Sequence, residues 1–418
     1  MAGTVRFVHA ADLHLDAPFS GVDATDSRVR DALVASTLEA LETLVNVCID
    51  RQADFLVLAG DVYNQSDTFL RTEFAFQAAC SRLSAAGIRV FVARGNHDPA
   101  SGRSAGLAMP EGVHVFSERA VERVPFLRDG EEVCALYGRS FRRAVESANL
   151  ALEFSRDPAD ALAIGVLHAN VGGRPGHEPY APCSLDDLRA ARMDYWALGH
   201  IHKPEVLLEH PCVVYSGCTQ GLDPSETGAR GCAVVTLGAD GASVDFVATA
   251  SVLWANATVA VEDCSGVEAL RGALASVVED ARRDAAGLPS VLRMELTGRG
   301  SVHDALRRPG VPADVLADVR AAGLGRDPWV WVDRIADRTR PLVDLGTLRE
   351  GEDFASDLVR LADAMTADER ELLAFAETVV RPVFGAIDLA DIPDLDPEDI
   401  LRRSRDLALD RLLAEEDQ

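Results

Sequence analysis

The sequence has 418 residues, 48% of them apolar and 26% charged, which is ordinary for a soluble globular protein and too long for a single core. Its net charge of −26 argues against loose, charge-driven attachment to nucleic acid. No uncharged run approaches the ~18 residues of a membrane span, no basic and then apolar stretch of a signal peptide opens the chain, and the eight cysteines form no CxxC pair.

In chain order, VRFVHA (5–10), DFLVLAG (54–60), RVFVARG (89–95), VCALYG (133–138), AIGVLH (163–168), YWALGH (195–200) and VVYSG (213–217) read as buried strands. Residues 28–51 and 68–85 place apolar side chains at helical spacing, as in Leu33, Leu38, Leu41, Leu44 and Val45. Residues 231–249 read as a hairpin around Ala239-Asp240-Gly241. WANATVAV, a helix near 265–285, VLRMELTG, a helix near 302–322 and WVWVDRIA then give a β-α-β-α-β order. Beyond about 341 strand signals stop. Leu358, Leu361, Ala362 and Met365, then Leu372, Leu373, Phe375 and Ala376, fit amphipathic helices. An acidic, proline-containing linker (387–397) and a last helix (397–414) follow. The expectation is a mixed α/β domain over 1–250, a small α/β domain over 251–340 and an acidic helical segment over 341–418. That last segment holds 21 acidic residues against eight arginines, half of the net charge. The cysteines read as small buried apolar groups in a reducing cytoplasm.

The chemistry falls at strand ends. Asp12-Leu13-His14 follows the first strand, Gly60-Asp61 the second and Gly95-Asn96-His97-Asp98 the third; His168 ends the fifth, and Gly199-His200-Ile201-His202 follows the sixth. In an α/β sheet these ends converge on one crevice. Each piece alone has an ordinary reading: a capped turn, a tight turn, a satisfied core histidine. Five of ten histidines at such points make coincidence a poor account. His9, His114, His210 and His303 lack such partners and keep the ordinary reading, as does His177 with some reserve. Carboxylate, imidazole and amide donors without thiolate suit Mn²⁺, Fe²⁺ or Zn²⁺. Two ions ~3.5–4 Å apart need a bridging carboxylate, and Asp61 is the lone acid of its motif.

These motifs resemble the calcineurin-like metallophosphoesterase superfamily over about residues 4–220. The carrying segments are VHAADLHLD, LAGDVYN, RGNHDP, LHANV, PYAPCSLDDL and DYWALGHIHKPEV. Within it the chain is most similar to DNA repair exonucleases of the SbcD type, and PYAPCS points to their YhaO branch. The resemblance implies a four-layer αββα sandwich with a small α/β cap domain and a helical C-terminal segment. It implies two divalent metal ions, Mn²⁺ first and Fe²⁺ or Zn²⁺ as alternatives. Asp12, His14, Asp61 and His202 would hold one; Asp61, Asn96, His168 and His200 the other. His97 would protonate the leaving oxygen or orient the phosphate, steadied by Asp98. The implied partners are DNA and an SbcC-like coiled-coil ATPase docked on the C-terminal helices, with a homodimer also admitted. Cys218 and Leu222 depart from the pattern, standing where relatives often carry asparagine and arginine.

The expected activity is therefore a two-metal DNA nuclease, a 3′→5′ exonuclease with endonuclease activity. Two other readings stand beside it: the same site acting on a small phosphodiester or phosphomonoester, and a non-catalytic DNA-end-binding protein that regulates an ATPase.

Overall fold

The computed structural model describes residues 3–17, 19, 22, 25–64, 70–102, 109–174, 178–384 and 395–416. His177 and residues 387–394 of the expected acidic linker lie outside the described residues. The strands are β1 (Val5–Ala10), β2 (Phe55–Ala59), β3 (Arg89–Ala93), β4 (Val113–Val115), β5 (Glu122–Arg128), β6 (Glu131–Arg139), β7 (Ala163–His168), β8 (Tyr195–Gly199), β9 (Glu205–Leu208), β10 (Cys212–Tyr215), β11 (Gly231–Gly238), β12 (Gly241–Ala248), β13 (Leu253–Ala260), β14 (Ser290–Thr297) and β15 (Val330–Asp337). The helices are α1 (Ser27–Asp50), α2 (Leu70–Ala85), α3 (Leu185–Ala190), α4 (Val267–Asp284), α5 (Val302–Leu306), α6 (Val311–Leu324), α7 (Leu345–Glu350), α8 (Phe354–Ala367), α9 (Glu369–Phe384) and α10 (Pro397–Glu416).

Two six-stranded mixed sheets carry the fold, in the orders β12-β11-β1-β2-β3-β4 and β5-β6-β7-β8-β10-β9. Period-two alternation sends Phe7, Phe55, Val57 and Phe91 of the first sheet and Leu136, Ile164, Val166 and Tyr195 of the second into one shared core. Each such fully buried aliphatic or aromatic side chain contributes roughly 1.5–3 kcal/mol. The outer face of the first sheet (Val8, Leu56, Leu58, Val90) packs on Leu41, Leu44 and Val45 of α1 and on Phe76, Ala79 and Leu83 of α2. The outer face of the second (Ala135, Tyr137, Leu198, Val213) packs on Leu150, Phe154 and Leu188. The layers run helix, sheet, sheet, helix. Helix α1 is long and apolar enough to cross a membrane, yet Leu41, Leu44, Val45 and Cys48 are buried against this sheet.

A third sheet has the order β13-β14-β15. The chain forms two compact units: Met1–Ala257 with Val277–Met294 and Val319–Arg334, and Thr258–Ser276 with Glu295–Asp318 and Ile335–Gln418. In the first, Trp254 is buried with Val29, Leu33, Val252, Trp329 and Trp331. In the second, α7 to α10 form a small bundle around Val359 and Leu409 and around Ala362, Leu372 and Leu401. The helix expected over 302–322 is broken into α5 and α6, because Pro309 cannot continue it and Gly310 adopts φ +89°. All eight cysteines are free and buried.

Candidate metal centre

The parallel strands β1, β2 and β3, and β6, β7 and β8, end on the same side, and the loops leaving them carry the candidate residues. Backbone bonds cross-link these loops: the Asp12 amide donates to the Gly60 carbonyl and the His14 amide to the Asp61 carbonyl, both at 3.0 Å. Two glycines let the motifs close on one another. A Cβ on Gly60, at φ +101°, would lie 2.3 Å from His168 Nδ1, and one on Gly95 would lie 2.2 Å from Asp61 Oδ1. Asp12, His14, Asp61, Asp98, His168 and His200 are buried; His202 and Asn96 are half-buried and His97 is exposed.

The ring hydrogen bonds fix which nitrogen of each histidine is available. His14 Nδ1–H donates to Asn64 Oδ1 at 3.1 Å and His202 Nδ1–H to Glu226 Oε1. Both Nε2 atoms are left with a lone pair, yet they lie 3.1 Å apart. Two lone pairs at that distance repel unless a cation joins them. His168 Nδ1–H donates to the Ala59 carbonyl at 3.0 Å, so its Nε2 faces Asn96 Oδ1 at 2.9 Å and Asp61 Oδ2 at 3.4 Å. Once His168 Nε2 has given up its proton, as an ion requires, three acceptors again meet at one point. Asp61 Oδ2 is also 3.9 Å from His14 Nε2, so one carboxylate reaches both clusters. The donor set thus fits two divalent ions sharing Asp61.

Among the described residues, donor atoms within 4.8 Å of one another fall into four sets: Asp12, His14 and His202; Asp12, Asp61 and His168; His14, Asp61 and His97; and His202, Cys218 and Glu226. His200 stands in none of them. Its amide donates to both Asp12 carboxylate oxygens at 3.1 Å, and its Nε2–H donates to the Glu178 carbonyl at 2.8 Å, so it would ligate through Nδ1. Cys218 is buried, and burial first, then Glu226, pushes its thiol well above the usual range, so it offers no thiolate.

Burial without an ion sets the electrostatics. Burial raises the Asp12 carboxyl to about 6, against the pull of His168 and His202. It pushes Asp61 up too, but the imidazoles of His168, His14 and His97 outweigh it and hold that carboxyl below the usual range. Burial disfavours the His168 imidazolium, yet Asp61 and Asp12 overcome this and raise it to about 9. Desolvation takes His14 down to about 3.

His97 sits at the rim. Its amide donates to Asp61 Oδ1 at 2.9 Å and its Nδ1–H to the Asn64 carbonyl at 2.7 Å. Where the sequence has Asp98 expected to steady this ring, the structure gives that place to Asn64. The Asp98 carboxylate instead accepts from the amides of Gly95 at 2.8 Å and Val62 at 2.9 Å, tying together the loops that carry Asn96 and Asp61. The PYAPCS stretch walls His200: the Tyr180 ring lies 5.7 Å from it, and the Tyr180 carbonyl accepts from Asn170 at 2.9 Å. Ser184 and Asp187 form a capping box on α3.

Sequence reasoning missed two residues. Asn64 lies three places after Asp61, within the quoted LAGDVYN, and serves both His14 and His97. Glu226 lies in the loop after the last motif. No local pattern marks it, because its partner is 24 residues away.

Residues 5–204 match the calcineurin-like phosphoesterase family, and residues 254–340 match the middle domain of metallophosphoesterase YhaO. The chain is 32% identical over 349 residues to the metallophosphoesterase YhaO of Bacillus subtilis, covering 83% of this chain and 85% of that protein. It is 27% identical over 263 residues to the SbcD component of the SbcCD nuclease of the same bacterium, 54% of this chain and 64% of that one. It is 26% identical over 192 residues to the DNA double-strand break repair protein Mre11 of Thermoplasma acidophilum, 44% of this chain and 50% of that one. With a strand-end cluster of this composition and a YhaO relative along most of its length, the chain belongs to the calcineurin-like metallophosphoesterase family.

Proposed function

We propose that this metallophosphoesterase is a two-metal DNA nuclease, a 3′→5′ exonuclease with endonuclease activity, acting in DNA repair beside an SbcC-like coiled-coil ATPase. The observation that carries the metal reading is Asp61 Oδ2, placed between the imidazoles of His14 and His168. Asp12, His14, Asp61 and His202 hold one ion; Asp61, Asn96, His168 and His200, through Nδ1, hold the other. Carboxylate, amide and imidazole donors suit Mn²⁺ first, with Fe²⁺ or Zn²⁺ as alternatives. Similarity to the SbcD component of a nuclease and to Mre11 supports DNA as the substrate, and the reading carries a cytoplasmic location with it.

Held by these residues, two ions would supply Lewis acidity for the phosphoryl oxygens and for lowering the pKa of an attacking water. The chain's own residues do the rest. Asp61 places the two positions in register, and its Oδ1 holds the His97 amide, which keeps that ring beside the substrate. With Nδ1–H on the Asn64 carbonyl, His97 exchanges its proton through Nε2, giving it to the leaving oxygen. Asp98 clamps the backbone of both loops, so the spacing survives substrate entry.

A second reading, a small phosphodiester as substrate, draws on Leu222, which is buried and apolar where relatives often offer a phosphate-binding arginine. Labelled duplex and single-stranded DNA, incubated with Mn²⁺ or Mg²⁺, separate the two. The proposal expects Mn²⁺-dependent release of nucleotides from DNA ends. Hydrolysis of a chromogenic phosphodiester with DNA left intact would hand the site to the small substrate.

A further inference from the structure

The loop from Gln220 to Glu226 joins a metal-site histidine to a strand far along the chain. At one end both Glu226 carboxylate oxygens are engaged. Oε1 accepts from His202 Nδ1–H, and Oε2 accepts from the Leu222 amide at 2.7 Å. The carboxylate cannot turn without breaking a backbone bond. The buried Arg230 secures the same corner, donating to the His202 carbonyl at 2.6 Å, the Glu226 carbonyl at 3.2 Å and the Thr227 carbonyl at 3.0 Å. His202 is held by its ring and by its backbone.

At the other end the loop is bound to residues 251–256, which lead into and begin β13. The buried Gln220 amide donates to the Val252 carbonyl at 2.7 Å and accepts from the Ser251 amide at 2.9 Å. Trp254 Nε1–H donates to the Gly221 carbonyl at 2.9 Å, and Asn256 Nδ2 donates to the Pro224 carbonyl at 3.1 Å. Four side-chain bonds therefore fix the loop that carries Glu226, and the indole that makes one of them is locked in a buried aromatic cluster.

We propose that Glu226 is the positioning residue for His202, and that residues 251–256 set the position of Glu226. The carboxylate holds the proton on Nδ1, keeps Nε2 directed at its ion, and fixes the ring plane. Carboxylates behind ligating histidines typically govern metal affinity by 10–100-fold. The consequence is that the strand opening the YhaO-type middle domain adjusts one of the two ion positions without touching it.

The proposal rests on the dinuclear reading, and one experiment tells their failures apart. Mn²⁺ is titrated into the full metal-free chain and free Mn²⁺ is followed by electron paramagnetic resonance. Wild type must show two sites; a single site would overturn the dinuclear reading itself. Given two, Glu226→Gln keeps the shape of the loop and should weaken one site by at least tenfold while leaving the other unchanged. Trp254→Phe, which removes the bond to Gly221 and some of the indole's packing, should weaken that same site several-fold. Circular dichroism confirms that each variant is folded. Unchanged affinities in Glu226→Gln would overturn the positioning role, and complete loss of one ion would make Glu226 a ligand instead. Wild-type affinities in Trp254→Phe would overturn the link to β13.

Discussion

Asp12, His14, Asp61 and His200 hold φ angles of 52°, 43°, 53° and 96°, in the region that side chains other than glycine rarely adopt. Such strain persists where the surroundings over-determine it, and here the cross-linked strand ends do so. Gly95 is the neighbour that bears on the shared carboxylate, because a methyl there would displace it. Gly95→Ala should cost at least about tenfold in Mn²⁺ affinity while the melting temperature barely moves, measured by metal titration and calorimetry. His97→Ala should lower turnover by about 10²–10⁴-fold with both ions retained, since the ring transfers a proton and only its backbone amide touches Asp61. Loss of the ions in that variant would make His97 a ligand. The proton balance gives a third test. In the metal-free protein His168 stays protonated up to about 9, and Asp12 becomes protonated as pH falls through about 6. An ion must expel the His168 proton throughout the neutral range, so Mn²⁺ affinity should rise about tenfold per unit from about pH 7 to about 9. A flat profile over that window would contradict it.

At the scale of elements, the C-terminal helices are joined to the turn after β14 by charge. Arg299 pairs with Asp410 at 2.7 Å and lies 3.9 Å from Asp406, all three partly buried, and the exposed Arg340, just after β15, pairs with Asp410 at 3.0 Å. Arg299→Ala should destabilise the protein by about 1 kcal/mol in urea unfolding, and removal of α10 by more, because Leu401 and Leu409 leave the bundle. The sequence made the central strands and the metal motifs legible, because long apolar runs ending in Asp, Asn or His are local signals. Three edge strands, β4, β5 and β9, escaped it. β5 carries Pro125 and three charged residues and pairs with β6 alone, so its pattern is that of an exposed rim. β4 has three residues and β9 four, too short for periodicity to register. Asn64 and Glu226 escaped as site residues for another reason: their roles come from contacts 50 and 24 residues away.

Over the whole molecule, a net charge of −26 with half of it beyond residue 340 disfavours phosphate at the C-terminal helices, so the proposed DNA substrate would be met at the strand-end crevice. Exposed Phe354 and Leu361 on α8 give that helix two apolar side chains on one face, where the proposed ATPase partner would dock. A chain truncated before Gly351 should still cleave DNA and lose the ATPase in a pull-down; full retention of the ATPase would refute docking there. All of this depends on two ions sharing one carboxylate. Elemental analysis of protein purified with Mn²⁺, beside its Asp61→Asn variant, tests that most directly. The account predicts about two ions per chain in the wild type, with at least one ion and nearly all phosphodiesterase activity lost in the variant. An Asp61→Asn protein that keeps both ions and full activity would contradict it.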